Sequence, residues 1–554
     1  MRRRRLAAIG AGAAALTLLA ACGAGGGSNN PSDKLDDVDV TGVINGELPT
    51  DGPPQSGGKI TVTDPSDAPT LDPHKAASAY TQWSTSGWVY NTLVAYDYGR
   101  DIPYYSQEYK GDLAESWERS DDGLTWTFTL RKGVKFQNIA PVNGREFTSA
   151  DVKCTIERIQ TLPGVQQNLM AIVKSVDASD PYKVVLKLNS PYGALHETFA
   201  SFYMEMLPCE GTRGEFDLAQ QAIGTGPFIL QSWDRKVKRS YVKNPDYYVA
   251  GKPYLDAIDV LIMSDPASQL AAFRAGELDI SGVSEQLYSS LLGTNPNVTV
   301  RVEEGTTLNG LFMNQDVEPF DDLRVRQAVA KAWDRAGMGD ATMTSYTLAG
   351  AYPSVMPGAL SEDEMDELRG YDPEGAKKLL AEAGFPNGFD VTLTTTDGWG
   401  PAFVNQAQWI QSDLKDIGIN VDLKILDYAT FYTTWQQKDY DLGYAYFTGF
   451  LSVNEWVQSF YPTTGTRNWF NIDDSRLNTL IKEQEAVLDP DERADKLHEI
   501  NMYIGENLAN PVMGMQASAL RIQQDWVHNF YENPAYARAW AVDVWVDENS
   551  PSRK

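Results

Sequence analysis

Ile419-Asn420-Val421-Asp422-Leu423-Lys424-Ile425 alternates apolar and polar residues without a break, the period of a strand with one covered face. Upstream, Phe403, Ala407, Ile410, Leu414 and Ile417 recur at helical spacing, and Gly418 supplies the stop. Further back, Phe389, Val391 and Leu393 mark another strand. Downstream, a short aromatic helix (Phe431, Tyr432, Trp435) leads to a strand over Tyr440–Phe447. Strand, helix, strand, helix, strand at this spacing predicts right-handed crossovers and a largely parallel α/β sheet. In such sheets ligands bind beyond the carboxyl ends of the strands. Two ends stand out: one runs into Asp397-Gly398-Trp399-Gly400, the other into Thr448-Gly449-Phe450. Each offers glycine for close backbone approach beside an aromatic face. A ligand platform is one reading of these rings; buried packing is the other.

Working outward, Asp372-Pro373 caps a helix with the stripe Ala376, Leu379, Leu380, Ala383, closed by Gly384. Asp321 is expected to cap another, with Val325, Val329 and Trp333 on one face. The first half of the chain differs. Thr125-Trp126-Thr127-Phe128-Thr129-Leu130 alternates cleanly after Asp122-Gly123, a hairpin dipeptide, and Leu113–Trp117 is the expected partner. Lys183–Leu188 adds a strand, and a helix opens near Ser149. Together these predict an antiparallel region over 98–223. Gly58-Lys59-Ile60-Thr61-Val62 is the first strand of the ordered body.

The N-terminus reads as an export leader: Arg2 to Arg5, then an apolar run from Leu6 to Ala21, too short to span a bilayer. Leu19-Ala20-Ala21-Cys22 resembles the processing box of bacterial lipoproteins, which implies a lipid-bearing Cys22 after removal of residues 1–21. Residues 22–57 carry glycine, asparagine, proline and acids with no hydrophobic period and read as a flexible tether. With Cys22 set aside, Cys154 and Cys209 remain, an even pair in an oxidising compartment, either bridged or two separate buried thiols.

The 554 residues hold 75 Asp+Glu against 47 Lys+Arg, a net charge of −28, which repels nucleic acid and anionic lipid over any broad face. At 42% hydrophobic and 22% charged residues the chain can bury several cores. No Walker loop, GxGxxG, GxSxG or HExxH occurs, and the four histidines (His74, His196, His498, His528) are scattered. No cofactor or metal is expected. A secreted hydrolase would need only two carboxylates, but no pair is singled out by context.

Leu113-Ala114-Glu115-Ser116-Trp117, Gly123–Phe128 and Leu130-Arg131-Lys132-Gly133-Val134-Lys135-Phe136 resemble the signature of the family 5 extracellular solute-binding proteins, receptors of ABC importers. Thr148–Val152, Gly224-Thr225-Gly226-Pro227-Phe228, Asn244–Tyr248 and Asp322–Ala328 extend the likeness over about residues 58–545. The resemblance implies a two-lobed periplasmic-binding-protein-like fold of type II with an extra domain inserted in the first lobe. Lobe I would comprise 58–97, 224–306 and 516–554, the insert 98–223, and lobe II 307–515. It implies no enzyme, but a monomeric, lipid-anchored receptor on the outer face of the cytoplasmic membrane. Such a receptor captures a peptide or other small solute by lobe closure and delivers it to an ABC permease and its ATPase; no nucleic acid is involved. Cleft candidates are Tyr80, Trp83, Asn309, Phe312, Asn314, Trp399, Phe447, Thr448, Gly449 and Phe450. Peptide-binding relatives carry an aspartate for the peptide ammonium where this chain has Phe450. That departure calls for another amine anchor, or for a ligand without an amine, such as an oligosaccharide stacked on Trp399 and Phe450. A surface receptor that signals without feeding an importer would share all these features.

Overall fold

The computed structural model describes residues 42–49, 52–75, 79–102, 106–162, 165–343, 346–447, 452–532 and 538–554. The leader 1–21 and Cys22 lie outside these residues, as do Thr448, Gly449 and Phe450.

The strand Lys59–Asp64 buries every second residue and pairs in parallel with Ala257–Ile262. Antiparallel Lys238–Lys243 and Phe228–Asp234 complete a four-stranded sheet. Trp88, Tyr241, Ile258, Val260 and Trp540 fill its core. Arg239, 0% exposed, is neutralised inside that core by Asp64 and by Asp67 at 2.7 Å.

The region 98–223 holds a separate antiparallel sheet in the order Ala114–Arg119, Thr125–Leu130, Lys183–Leu188, Val173–Asp180. Trp126, Phe128 and Leu130 face inward, as their alternation requires, and Gly123 takes the positive φ of the turn (67°). Helix Ser149–Thr161 lies against this sheet. The buried Asp151 carboxylate accepts from Thr148 N and Cys209 N, both at 3.1 Å, and pairs with Arg145 at 2.6 Å. It thereby ties the helix start to the segment carrying Cys209, which is disulfide-bonded to Cys154.

The largest sheet joins the two halves. Thr299–Met313 and Val512–Gln523 run antiparallel from Val300↔Ile522 to Leu311↔Val512. At one end Ile280–Val283 pairs with Val512–Gln523; at the other Leu442–Phe447 pairs with Thr299–Met313. Asp390–Thr396, Asn420–Leu426 and Leu442–Phe447 form the expected parallel trio. The sheet as a whole is mixed rather than largely parallel, because the two long strands join the trio from the opposite direction. Helix Pro373–Glu382 starts at Asp372 and helix Pro401–Asp416 precedes Gly418, as the spacing predicts. The cap of Leu323–Ala332 is Asp322, not Asp321: its carboxylate accepts from Arg324 N at 2.8 Å.

The reading of 22–57 as a flexible tether needs correction at two places. Gly42–Asn45 pairs antiparallel with Thr299–Met313, and Asn45 Nδ2 donates to the carbonyls of Pro296 (3.0 Å) and Val298 (2.7 Å). At the other end the Arg553 guanidinium donates to the carbonyls of Gln55, Ser56 and Gly57 at 2.9–3.1 Å. A strand edge and a terminal guanidinium supply partners that local composition does not reveal.

Candidate functional site

The strand Asp390–Thr396 ends at a tight turn. Gly398 is required there, since a Cβ at that position would come within 2.6 Å of the Tyr428 Cβ. Gly400, at φ 90°, then turns the chain into helix Pro401–Asp416. The half-buried Trp399 between them meets Phe403, Tyr446, Tyr428 and Phe431 edge-on, with centroids 4.8, 5.2, 5.6 and 5.7 Å away. Helix Tyr428–Gln436 sets Phe431 and Trp435 inward and leaves Tyr428, 48% exposed, and the half-buried Tyr432 on its open side. These rings form one wall.

The opposing wall comes from helix Ala79–Thr85, where Tyr80 packs edge-on against Trp83 at 5.3 Å. Burial raises the Tyr80 hydroxyl pKa, Asp64 raises it further, and Tyr428 adds a third contribution. Tyr428, on the first wall, is thus near enough to Tyr80 for its charge to be felt there. The Arg538 guanidinium sits 5.8 Å from the Trp83 ring and is ion-paired with Asp64. From the insert, Tyr203 is buried, and its hydroxyl is raised by burial and lowered by Arg467. Arg467 also lowers Tyr428 against the upward push of burial and Tyr432. One cationic group thus lies near the wall. Glu455, 1% exposed in the first turn of helix Val453–Phe460, is a carboxylate close enough to Tyr203 to perturb it.

Of the residues expected to line the cleft, Tyr80, Trp83 and Trp399 stand on these walls. Four others do not. Phe312 and Phe447 are each 1% exposed; Phe312 stacks on Trp435 at 4.7 Å and meets Tyr440, Phe470 and Phe447 at 5.0–6.0 Å. Phe470 covers both rings. Asn309 is wholly buried, and its Oδ1 accepts from Met515 N at 2.6 Å, fastening one long strand to the other. Asn314 donates to the carbonyls of Lys438 (3.0 Å) and Tyr440 (3.1 Å) and accepts from Asn471 at 2.8 Å. The two phenyl rings and the Asn314 amide are spent on the protein itself, and Asn309 is held inside it through Oδ1. Tyr428, Tyr432, Arg538 and Glu455 were not singled out from the sequence. The tyrosines left a signal, an i, i+4 pair flanking Phe431 and Trp435 along one aromatic stripe of the helix. Arg538 and Glu455 left none.

A second contact zone joins the insert to helices of the other half. The Arg493 guanidinium grips the Glu197 carboxylate at 2.5 and 3.1 Å, both side chains nearly buried. Gly193 N donates to Glu485 O (2.9 Å), Arg119 to Leu488 O (3.0 Å) and Asn454 to the Tyr192 hydroxyl (2.5 Å). A Cβ on Gly193 would lie 2.1 Å from Val487 O, so only glycine allows this approach. Burial pushes the Glu485 carboxyl up to about 7, against the pull of Gln458, Arg493 and Lys482.

Among the described residues no three His, Cys, Asp or Glu side chains converge as metal ligands, and no helix is long and apolar enough to cross a membrane.

The sequence profile of bacterial extracellular solute-binding proteins, family 5, matches residues 108–469. The chain is 30% identical over 399 residues to di/tripeptide-binding protein 2 of Pseudomonas aeruginosa, covering 67% of this chain and 73% of that one. It is 28% identical over 372 residues to the glutathione-binding protein GsiB of Escherichia coli O1:K1 / APEC, covering 67% and 70%. Among solved structures, DppA of Helicobacter pylori in complex with the peptide STSA superposes with a TM-score of 0.75 at 22% identity, covering 89% of this chain and 99% of that one.

Proposed function

The chain belongs to the bacterial extracellular solute-binding proteins of family 5, and from that premise we propose that it captures a short peptide between two lobes and hands it to an ABC permease for import. The observation that carries capture between lobes is the pair of aromatic walls. Tyr80 and Trp83 stand on one side, Trp399 and Tyr428 on the other, and the long strands Thr299–Met313 and Val512–Gln523 run between the halves within one sheet. Aromatic faces gain from sandwiching a peptide's planar amide groups and apolar side chains. A ligand touching both walls favours the closed arrangement by its extra contacts there, and that difference drives the hinge.

The short-peptide class rests on the relatives that bind di- and tripeptides and glutathione across two thirds of the chain. Because Phe450 falls where the family resemblance puts an aspartate for the peptide ammonium, we assign that task to Glu455, five positions on at the start of the next helix. A buried carboxylate is the group an ammonium needs when both leave water. We read lobe I as 58–97, 224–306 and 516–554, the insert as 98–223 and lobe II as 307–515. These bounds cut the two long strands near their middles, where a hinge must flex. Cys22 is assigned as the lipid attachment that holds a monomeric receptor to the outer face of the membrane.

The test is thermal unfolding and calorimetric titration with dipeptides, tripeptides and glutathione, each beside its N-acetylated form. A ligand at a hundred times its Kd adds about 2.7 kcal/mol to stability, a shift easily read. Binding of the free-amine forms, lost on acetylation and in Glu455→Gln, is the expected result. Peptide binding that ignores both changes removes Glu455 from the site. No shift with any peptide removes the peptide reading. Mass spectrometry of the membrane-extracted protein checks the acyl chains on Cys22.

A further inference from the structure

Buried arginines in this protein are satisfied in one of two ways. Arg239 and Arg493 meet carboxylates. Arg326 has none, but it donates to the carbonyls of Leu508, Phe320 and Asp321 at 2.7–3.0 Å. Arg335 and Arg369 meet no carboxylate and follow the second pattern only in part.

Arg335 opens helix Arg335–Thr342 and Arg369 closes helix Glu362–Arg369; each is 4% exposed. Arg335 donates to Arg369 O at 2.7 Å and to Met513 O at a long 3.4 Å. Arg369 donates to Ala349 O at 3.2 Å, and its Nε is buried with no partner. A guanidinium carries five N–H donors, so most of the donors on this pair are unassigned. The acids whose charge reaches Arg335 are occupied elsewhere or in water: Asp334 caps its own helix by accepting from Gly337 N at 2.8 Å, and Asp366 is exposed. The Tyr461 hydroxyl, whose charge would reach Arg369, donates to Ala351 O at 2.5 Å. Burial, and then the charge of Arg369, lowers Arg335 to about 9; burial lowers Arg369 to about 10. Guanidinium groups keep their proton in proteins. Two neighbouring buried positive charges with open donors therefore call for a negative partner that no described residue provides.

We propose that Arg335 and Arg369 bracket a binding site for a small monovalent inorganic anion of the chloride type, held as a permanent part of the second half of the molecule. A halide suits the site because it accepts from several N–H groups at once without a fixed geometry. A small ion also suits two side chains that are each 4% exposed, where a phosphate or a ligand carboxylate would bring more bulk. This site is separate from the aromatic walls, and its test does not depend on what they bind.

The test has two arms. Crystals of the protein grown without halide and soaked in sodium bromide are examined for anomalous signal at the bromine edge. A peak in contact with both guanidiniums is expected; ordered water alone at that place overturns the proposal. In solution, the wild-type melting temperature is compared in sodium chloride and in sodium gluconate at equal ionic strength. A higher value in chloride is expected, saturating with concentration, and the dependence is lost in Arg369→Met. Equal melting temperatures in the two salts overturn the proposal even if bromide can be soaked in, since the ion is then adventitious. If Arg369→Met does not fold, the wild-type salt comparison and the bromide soak decide without it.

Discussion

Trp399 and Phe447 stand just beyond or at the ends of neighbouring parallel strands, yet one ring is half open and the other is sealed. The difference lies in what lies over them. Phe447 and Phe312 are roofed by Phe470 and Trp435, and that cluster continues into the insert through Phe460 and Trp456. Trp399 is flanked by Phe403 and Tyr428 but not roofed. A strand end brings a residue near the cleft; the covering segment decides whether it reaches a ligand. Sequence position therefore nominates residues, and only the path of distant segments such as 460–470 selects among them.

The strongest test of this contrast is Phe312→Ala. Removing a roofed ring should cost about 3–5 kcal/mol of unfolding free energy, read as a lower urea midpoint. Trp399→Ala should shift the midpoint far less. Equal losses would place Trp399 in the core and erase the distinction.

Next in size is the ion pair that clamps the insert over the roofed cluster. Glu197→Gln leaves Arg493 largely buried and without its carboxylate, at a cost of about 3 kcal/mol. Hydrogen exchange should then rise on both sides of the contact, in 192–200 and 484–497. Unchanged exchange there would mean that apolar packing, not the pair, holds the insert in place.

For ligand affinity the contrast reverses. Trp399→Ala and Tyr428→Ala should each weaken peptide binding by about 1–3 kcal/mol, measured by calorimetry with whichever peptide stabilises the wild type. Affinity that survives both changes would move the site off this wall.

The α/β stretch over 372–447 was legible because three independent signals agree there: apolar period, capping Asp372, and the stop glycines Gly384 and Gly418. The antiparallel insert was legible for the same reason at Asp122-Gly123. Thr299–Met313 was not. It serves different surroundings along its length, packing with Leu291 and Ile522 at one end and with Phe447 and Tyr444 at the other, so no single alternation marks it as one strand. The docking of Gly42–Asn45 was hidden likewise, since its partner lies some 250 residues away. The half-open setting of Trp399 agrees with the glycines that flank it in the sequence. Phe312 and Asn314 were misplaced because proximity to the crossover says nothing of Phe470 or Lys438, which occupy them. Glu455 could not be picked from 75 acids without knowing that it is buried.

The smallest expected effect concerns pH at the contact between insert and helices. Glu485 has an ordinary carboxyl pKa of 4.5 and is raised to about 7 in the folded protein by burial. Arg493 and Lys482 face it as cations, and Tyr192 lies close enough to feel its charge. Between these two values the folded state holds a proton that the unfolded chain has released, so this group's contribution to stability falls as pH rises through that window and is constant above about 7. Glu485→Gln should remove that part of the slope, making the variant more stable than wild type at pH 8 by about 1 kcal/mol or more, with no gain near pH 4.5. The backbone of Glu485 accepts from Gly193 N at the same contact. If closing the lobes is what buries Glu485, peptide affinity should decline over the same window in wild type and stay level in Glu485→Gln. If the variant keeps the decline, the contact between insert and helices is already made before ligand arrives, and only the aromatic walls move.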